Sequence, residues 1–277
     1  MSLHTFARSR SCQAGLTGLA LALTLTLGTP LTACAQRAPT ADWWSAIERD
    51  DVSDIQGLLL QHTDPNAFNK LGNPALTQAA REQSWEVFDA LLTTPGVEID
   101  QPNAHDETAL MYLCILGQTG RARALIAAGA QVNRLGWTPL HYAASKAQVD
   151  TARMLMEKGA IVNAPGPDGT TPLMMAALSG KPEIVRLLLA QGADPTMFNA
   201  AHETAADWAR KNNNTALAES LEHLAVRKTQ QRQGGAAAPA PRTARQEPAP
   251  PPEGSQDAAS FSRYFDLDRF EDTPAGR

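Results

Sequence analysis

Two short runs of the sequence combine histidine with carboxylates, side chains that often bind metal ions or transfer protons. They are His105-Asp106-Glu107 and His202-Glu203. A zinc site needs three or four ligands that converge on one point, and no further histidine or cysteine stands at a spacing that would complete either set. The chain also lacks the G-x-S-x-G, C-x-x-C and H-E-x-x-H motifs and a phosphate-binding glycine loop. The sequence therefore predicts no catalytic residue, no metal site and no cofactor.

The three cysteines, Cys12, Cys34 and Cys114, do not form the pattern of a disulfide framework. Cys114 could in principle be a reactive thiol, but other segments of the chain have alanine at the corresponding position. Those alanines are Ala80, Ala144 and Ala177. Because free cysteine commonly packs as a small apolar residue, we expect Cys114 to be buried and unreactive.

The N-terminal 33 residues have the pattern of a bacterial export signal. Arg8 and Arg10 precede an apolar run from residue 14 to residue 27, which is shorter than the about 20 residues of a membrane-spanning helix. The next residues, Leu31-Thr32-Ala33-Cys34, resemble the lipobox of bacterial lipoproteins. This resemblance implies that residues 1–33 are removed and that Cys34 becomes the lipidated first residue.

An alternative leaves the protein without a lipid anchor. Ala33-Cys34-Ala35 also fits a small-x-small cleavage site, which would release a soluble periplasmic protein beginning at Gln36. Under the lipoprotein interpretation, residues 34–41 form a tether, and Ala35 after the cysteine favours the outer membrane. Both alternatives predict an exported protein. Its only predicted contact with a membrane is the N-terminal lipid of the lipoprotein interpretation.

The charge balance argues against a nucleic acid as the partner. The whole chain has a formal net charge of -5, with 24 basic and 29 acidic residues, and no acid stands before residue 34. Neutralising phosphates requires a basic stripe, and neither the total nor the local pattern provides one.

A recurring unit organises the middle of the chain. The runs Thr138-Pro139-Leu140-His141-Tyr142-Ala143 and Thr171-Pro172-Leu173-Met174-Met175-Ala176 begin 33 residues apart, and looser copies begin at Thr108 and Thr204. Each unit closes where a leucine-rich stretch leads into a Gly-Ala pair. These pairs are Gly129-Ala130, Gly159-Ala160 and Gly192-Ala193. Threonine followed by proline suits the start of a helix and glycine suits its end, so each unit is predicted to contain two helices.

The Thr-Pro-Leu-His run and the 33-residue period resemble the ankyrin repeat family. The resemblance implies an all-α solenoid of five to six repeats, each with two antiparallel helices and an extended finger, over residues 42–226. Gly117 and Gly180 are expected at the turns between paired helices, and His141 is expected to hydrogen-bond within and between repeats. The predicted repeats lie near residues 42–71, 72–105, 106–135, 136–167, 168–201 and 202–226.

Ankyrin domains bind other proteins through their finger tips and the exposed side of their first helices, which together line a concave face. The family's binding positions, carried onto this chain, give nine candidate partner-binding residues. They are Phe68, Lys70, Arg81, Ile115, Leu116, Trp137, Lys146, Leu178 and Phe198. The resemblance thus implies a protein partner, and a monomeric chain is expected.

Ile115, Leu116 and Trp137 are apolar at positions that face outward in the family, so together they would form one exposed patch. The alternative is that packing in the short third repeat turns Ile115 and Leu116 inward. The finger before Trp137 is also short, because Asn133 precedes it by four residues whereas the interval after Asn163 is seven residues. The missing turn predicts a notch in the row of fingers beside the patch.

The composition changes after Arg227. Residues 227–257 are rich in Gln, Gly, Ala and Pro and are predicted to be a disordered linker. Residues 258–277 form a short aromatic-acidic motif, in which Phe261 and Phe265 stand one helical turn apart. This last segment is predicted to dock another protein, to fold back onto the ankyrin face, or to be a disordered end.

These features predict a non-enzymatic module that holds a periplasmic or outer-membrane protein against its concave face. A hydrolase or redox enzyme with a site in the fingers is the alternative from another class, although no catalytic motif favours it. A secreted effector that binds a host protein is a third interpretation, which requires that the lipobox at Cys34 be absent or uncleaved.

Overall fold

Six consecutive pairs of α-helices make up residues 38–234, the part of the chain that the computed structural model describes. The first helices of the pairs are α1 (Ala41–Glu48), α3 (Ala75–Glu82), α5 (Ala109–Ile115), α7 (Pro139–Ser145), α9 (Pro172–Ser179) and α11 (Ala205–Lys211). The second helices are α2 (Val52–Leu60), α4 (Trp85–Leu92), α6 (Thr119–Ala127), α8 (Val149–Glu157), α10 (Pro182–Ala190) and α12 (Thr215–Gly234). No β-strand occurs in this range, and the predicted all-α solenoid of helix pairs is confirmed, with six pairs.

The helices stack in two rows. In the first row α1 contacts α3, and the contacts continue in order through α5, α7, α9 and α11. In the second row α2 contacts α4, and α6 contacts α8, which in turn contacts α10. A single pair of helices cannot bury its apolar side chains alone, so each pair depends on its neighbours for a core.

Small residues let the two rows approach closely. Cys114 is completely buried, as are Ala80, Ala144 and Ala177 at the equivalent place in other repeats. The prediction that Cys114 is a packing residue is confirmed, and burial raises the pKa of its thiol far above the ordinary value. A thiol held protonated in an apolar core is a poor nucleophile.

Threonine precedes five of the six first helices, and Pro74 precedes α3. The hydroxyl of Thr171 accepts the N–H of Met174 at 3.4 Å, and that of Thr204 accepts the N–H of Asp207 at 3.4 Å. The carboxylate of Asp207 in turn accepts the N–H of Thr204 at 2.8 Å, which completes a reciprocal cap. These bonds satisfy N–H groups that a helix start would otherwise leave unpaired.

His141 is completely buried and bonds two repeats together. The N–H of Thr138 donates to His141 Nδ1 at 3.1 Å, so Nδ1 is the acceptor and Nε2 carries the proton. Nε2 then donates to the carbonyl of Thr170, in the next repeat, at 3.0 Å. Burial lowers the pKa of His141 to about 4, although the bond to Thr170 and the charge of Asp168 oppose the shift. The predicted structural role of His141 is confirmed.

Gly117 and Gly180 form the turns between paired helices, as predicted. Each has φ 68°, in the left-handed region that glycine adopts without strain. A side chain at Gly180 would also clash with Asn212. Ala147 occupies the same turn in the fourth repeat with φ 54°, where an L residue is strained.

Asparagines tie consecutive fingers to each other. Asn133 Nδ2 donates to the carbonyl of Gly159 at 2.8 Å, and its Oδ1 accepts the N–H of Ile161 at 2.9 Å. Asn163 makes the equivalent bonds to Gly192 at 3.1 Å and to Asp194 at 2.8 Å. Each of these asparagines uses both polar atoms of its side-chain amide to bond the next finger. The bonds therefore fix the spacing between consecutive fingers.

The last helix is longer than the sequence predicts. α12 continues to Gly234, so residues 227–234 are helical and the predicted start of the linker at 227 is wrong. The long-range cause is Asp194, whose carboxylate accepts from Arg232 at 2.5 Å and pairs with Lys228 at 3.3 Å. Burial alone would raise the pKa of Asp194, but bonds from Thr196 and Arg232 and the charge of Lys228 lower it to about 2.

Several sequence predictions concern segments outside the described residues. They are the signal segment 1–33, Cys34, the tether up to residue 37, the remaining linker 235–257 and the aromatic segment 258–277. Between residues 38 and 234, no helix combines the length and the apolar character that crossing a membrane requires.

Candidate protein-binding face

Large apolar side chains stand exposed in the fingers. Phe68 is 50% exposed, Leu71 64%, Leu135 94% and Phe198 59%. They belong to the fingers that precede α3, α7 and α11, and we call these four the finger-tip residues. Single exposed apolar residues are common on proteins, but their recurrence in three fingers, at two equivalent positions, indicates a contact surface.

The fingers hold these tips in a fixed conformation. Asn69 Oδ1 accepts the N–H groups of Leu71 and Asn73, both at 2.9 Å, and Asn199 accepts an equivalent pair in the finger before α11. Isolated antiparallel bridges at Phe68 and at the corresponding Phe198 close the same two fingers. A partner therefore meets an ordered surface, which reduces the entropy lost on binding.

A buried carboxylate lies between the fingers and the first row of helices. Glu107, which is 2% exposed, accepts the hydroxyl of Tyr112 at 2.7 Å and that of Tyr142 at 3.0 Å. Asn103 Nδ2 donates to the same carboxylate at 2.9 Å. Tyr112 and Tyr142 come from α5 and α7, so Glu107 connects one finger to two first helices. With both oxygens accepting hydrogen bonds, Glu107 acts as a structural centre for this face.

The hydrogen-bond network continues into the preceding repeat. Asn103 Nδ2 also lies 3.0 Å from Asn73 Oδ1, and Asn73 Nδ2 donates to Gln78 Oε1 at 3.0 Å. Gln78 in α3 then donates to Glu82 at 2.8 Å. The floor of the face is therefore polar and continuous over three repeats.

The sixth repeat contains a shorter version of this arrangement. Glu203 Oε2 accepts the indole N–H of Trp208 at 3.1 Å and the ammonium group of Lys211 at 2.7 Å. Asn199 Nδ2 lies 3.5 Å from the same oxygen. These three residues have the same spacing in the sequence as Asn103, Glu107 and Tyr112. Their hydrogen bonds anchor the finger that carries Phe198.

Trp137 packs onto the neighbouring finger. Its ring lies so close to Gly166 that a Cβ there would be 2.8 Å from the ring, and it meets the His141 ring edge-on at 5.2 Å. Trp137 is consequently half-buried. The short finger therefore ends in a tryptophan that contacts both the next finger, at Gly166, and α7, at His141.

The predicted notch corresponds to a cavity of about 460 Å³ between the fingers before α5 and α7. Leu135 and Arg134 line it from one side, and Asp100 and Asp106 from the other. Arg134 donates to the carboxylate of Asp106 at 2.5 Å and so bridges the gap. Ile115, Leu116 and Trp137 do not line the cavity, so the notch lies at the finger tips and apart from the predicted patch.

The predicted patch itself is only partly present. Ile115 is 3% exposed, so the expectation that it faces outward is wrong. All of α5 is buried between α3 and α7, and Gln148 from the next repeat covers the end of α5 by donating to the Ile115 carbonyl at 3.0 Å. Leu116 is half-buried, as is Trp137. For Ile115 the alternative prediction, that packing in the third repeat turns the side chain inward, is confirmed.

The remaining candidate residues differ in their exposure. Lys70 is exposed, and Arg81, Lys146 and Leu178 are half-buried at the ends of first helices. Together with the finger-tip residues they border one face, formed by the fingers and the first row.

The two histidine–acid runs occupy finger turns. His105 is exposed, and its N–H donates to Asn103 at 2.9 Å. His202 has φ 58° and stacks on Phe198 with ring centroids 5.5 Å apart. Among residues 38–234, no group of three histidine, cysteine or acidic side chains is placed to hold a metal ion.

Sequence reasoning missed the Glu107 network and the finger-tip leucines. Asn69 and Asn103 stand 34 residues apart, as do Gln78 and Tyr112, and this second period could have indicated a polar ladder. Nothing in the sequence alone distinguishes Leu135 from a core leucine.

Comparison with known proteins supports the fold. The family model described as ankyrin repeats (3 copies) matches residues 76–165, and the ankyrin repeat model matches residues 168–200. The chain is 34% identical over 143 residues to the mouse nuclear factor NF-kappa-B p105 subunit, and the match covers 49% of this chain and 15% of that protein. It is 32% identical over 125 residues to rabbit ankyrin repeat and SOCS box protein 5, and this match covers 44% of this chain and 37% of that protein. The chain therefore covers only a small part of these relatives.

A solved structure is also similar. It is a chain of the complex between a predatory endopeptidase from Bdellovibrio bacteriovorus and an immunity protein, with a TM-score of 0.58 and 27% sequence identity. The similarity covers 66% of this chain and 98% of that one.

Proposed function

The chain belongs to the ankyrin repeat family, and we propose that it is a non-enzymatic protein-binding module whose partner contacts the finger-tip residues and the adjoining floor of the first row. The observation that carries the proposal is the exposure of Phe68, Leu71, Leu135 and Phe198 in fingers, two of which are held by hydrogen bonds to Asn69 and Asn199. Burying such side chains against a partner would contribute free energy without any rearrangement of the fingers.

The polar floor supports the proposal by a different route. Solenoid proteins present extended surfaces made of equivalent positions in successive repeats, and the network around Glu107 keeps three repeats in one arrangement. The similarity to a chain of an endopeptidase–immunity protein complex agrees with a role in a protein assembly.

We place this module outside the cytoplasm. Residues 1–33 have the features of an export signal, and the run ending in Cys34 resembles a lipobox. The partner in this proposal is a periplasmic or outer-membrane protein, and the module is held near it by lipid on Cys34. Labelled fatty acid incorporated by the wild-type protein but not by Cys34→Ser would support the anchor, and equal labelling of the two would refute it.

The binding face is tested by replacing exposed apolar residues with serine. A partner is first captured by crosslinking in the native cell envelope, and its affinity for the purified chain is then measured. Leu135→Ser and Phe198→Ser should each weaken binding by about tenfold or more if these side chains are buried at the contact. Leu60→Ser is the control, because Leu60 is 83% exposed at the end of α2, in the second row.

The outcomes separate the face from general effects. Loss of binding in both finger variants, with Leu60→Ser unchanged, supports the proposed face. Unchanged affinity in the finger variants, or an equal loss in Leu60→Ser, would refute it. All three side chains are exposed, so none of the changes removes a core contact.

A further inference from the structure

The row of asparagines that tie consecutive fingers is interrupted by one aspartate. Asn66, Asn133 and Asn163 each donate to a glycine carbonyl of the following finger, at 2.8, 2.8 and 3.1 Å. Each also accepts a backbone N–H two residues after that glycine. Asp100 stands at the equivalent place in the finger before α5, and a carboxylate has no hydrogen to donate.

The glycine carbonyl at this junction belongs to Gly129. Both oxygens of Asp100 accept the N–H of Gln131, at 3.0 and 3.1 Å. Among residues 38–234, no N–H or O–H group donates to the Gly129 carbonyl, and no cationic side chain pairs with Asp100. This junction therefore presents two acceptors where the other three combine a donor with an acceptor.

Asp100 also lines the notch, together with Asp106, Arg134 and Leu135. Arg134 donates to the Asp106 carboxylate at 2.5 Å and to its backbone carbonyl at 2.9 Å, so these two charges balance. The charge of Asp100 remains. Leu135 is 94% exposed at the same cavity, where it can cover the alkyl part of a long side chain. The notch is thus complementary to a group with an apolar stem and a cationic end that carries several N–H donors.

An arginine side chain has this chemistry, because its planar guanidinium group donates to a carboxylate and to a second acceptor at once. We propose that the notch binds an arginine of the partner protein, with the guanidinium group on the Asp100 carboxylate and the Gly129 carbonyl and the alkyl stem on Leu135. The inference rests on the proposed function and deepens it. A cavity of about 460 Å³ is larger than a metal ion needs, and within residues 38–234 no three metal-ligating side chains converge.

NMR titration of the full chain with N-acetyl-arginine amide tests the site without the partner. The Gln131 amide bonds Asp100 directly, so its signal should shift with saturation in the wild type. Asp100→Asn should weaken this binding by about tenfold, because it removes the charge from the bonded pair. N-acetyl-citrulline amide, which has a similar shape and no charge, should also bind about tenfold more weakly.

Three results of the titration would overturn the proposal. They are equal shifts from the two compounds, equal affinity of the wild type and Asp100→Asn for the arginine compound, and calcium chloride that reproduces the shifts and blocks the arginine compound. Asp150→Asn is the matched control, because Asp150 is exposed on α8 in the second row. It should keep the wild-type affinity, and a loss equal to that of Asp100→Asn would also count against the site.

Urea unfolding separates binding from folding. Asp100→Asn supplies the donor that the Gly129 carbonyl lacks, so it should raise the urea concentration at the midpoint of unfolding while it weakens arginine binding. Asn133→Asp, the reverse change one finger further along, should lower the midpoint. A lower midpoint in Asp100→Asn would show that the carboxylate serves the fold and would overturn the proposal.

The captured partner distinguishes this inference from the proposed function. Asp100→Asn should weaken partner binding by about tenfold and reduce its dependence on salt concentration. If Leu135→Ser and Phe198→Ser lose binding whereas Asp100→Asn does not, the finger-tip face stands and the arginine site is refuted. If both finger variants keep full affinity, the proposed function fails, whatever the titration shows for the notch.

Discussion

Replacing His141 by methionine should change how the stability of the protein depends on pH. The imidazole is completely buried and neutral in the fold, where burial lowers its pKa to about 4 from an ordinary value of 6.5. Above about pH 6.5 the ring is neutral in both folded and unfolded chains, so it adds no pH dependence. Between about pH 6.5 and 4 only the unfolded chain binds the proton, so stability falls as the pH falls.

The size of the effect follows from the two pKa values. A difference of about 2.5 pKa units lowers the free energy of unfolding by about 3 kcal/mol once the pH is below 4. About 2 kcal/mol of this decrease occurs between pH 7 and pH 5. Methionine is the natural comparison, because Met174 occupies the same place in the next repeat and its sulfur accepts the N–H of Thr171 at 3.4 Å. At pH 7 the variant should be less stable by about 1–3 kcal/mol, because the carbonyl of Thr170 loses its donor.

The assay is urea unfolding followed by circular dichroism at several pH values, for the wild type and His141→Met. The stability advantage of the wild type should shrink by about 2 kcal/mol between pH 7 and pH 5. Met174→Leu is the control, since it changes the equivalent site without a titrating group, and its effect should not vary over this range. A constant difference between the wild type and His141→Met from pH 7 to pH 5 would refute the argument.

Three further changes test other parts of the structure. Ala147→Gly should stabilise the chain by about 0.5–1 kcal/mol in thermal or urea unfolding, because it relieves a left-handed turn that Gly117 forms without strain. Tyr142→Phe should cost about 1.5–3 kcal/mol by the same measurement, since it removes a buried hydroxyl that donates to the Glu107 carboxylate. Because the pKa of Asp194 is about 2 in the fold and 3.8 ordinarily, the bonds that hold the end of α12 should weaken as the pH falls from about 4 to 2. Amide exchange in residues 226–234 should then rise relative to the rest of the chain, and Asp194→Asn should show raised exchange already at pH 7.

The repeat architecture could be predicted because its signals are local and occur several times. Thr138 and Thr171 start helices through bonds to residues three positions later, and Gly117 and Gly180 turn the chain through their own backbone angles. Each such signal depends on a few neighbouring residues, so the sequence displays it directly. Repetition at a fixed period then identifies the register of the whole array.

The binding face was harder to predict, because exposure depends on contacts between repeats. Ile115 occupies a position that faces outward in the family, yet it is buried here because α5 packs between α3 and α7 of the neighbouring repeats. α12 passes the predicted end of the repeats because Arg232 reaches Asp194, a residue far earlier in the sequence. In both cases the deciding partner lies about one repeat away, and the local pattern does not identify it.

Trp137 and Leu135 stand two residues apart in the shortened finger and play different roles. Trp137 lies against Gly166 and His141, where it shields the buried imidazole, whereas Leu135 is 94% exposed beside the notch. Trp137→Ala would open the surroundings of His141 and reduce stability as well as any contact with a partner. A loss of binding in Trp137→Ala therefore has two physical explanations, whereas a loss in Leu135→Ser has one. Leu135 is for this reason the more decisive probe of the face, although the sequence pattern favoured Trp137.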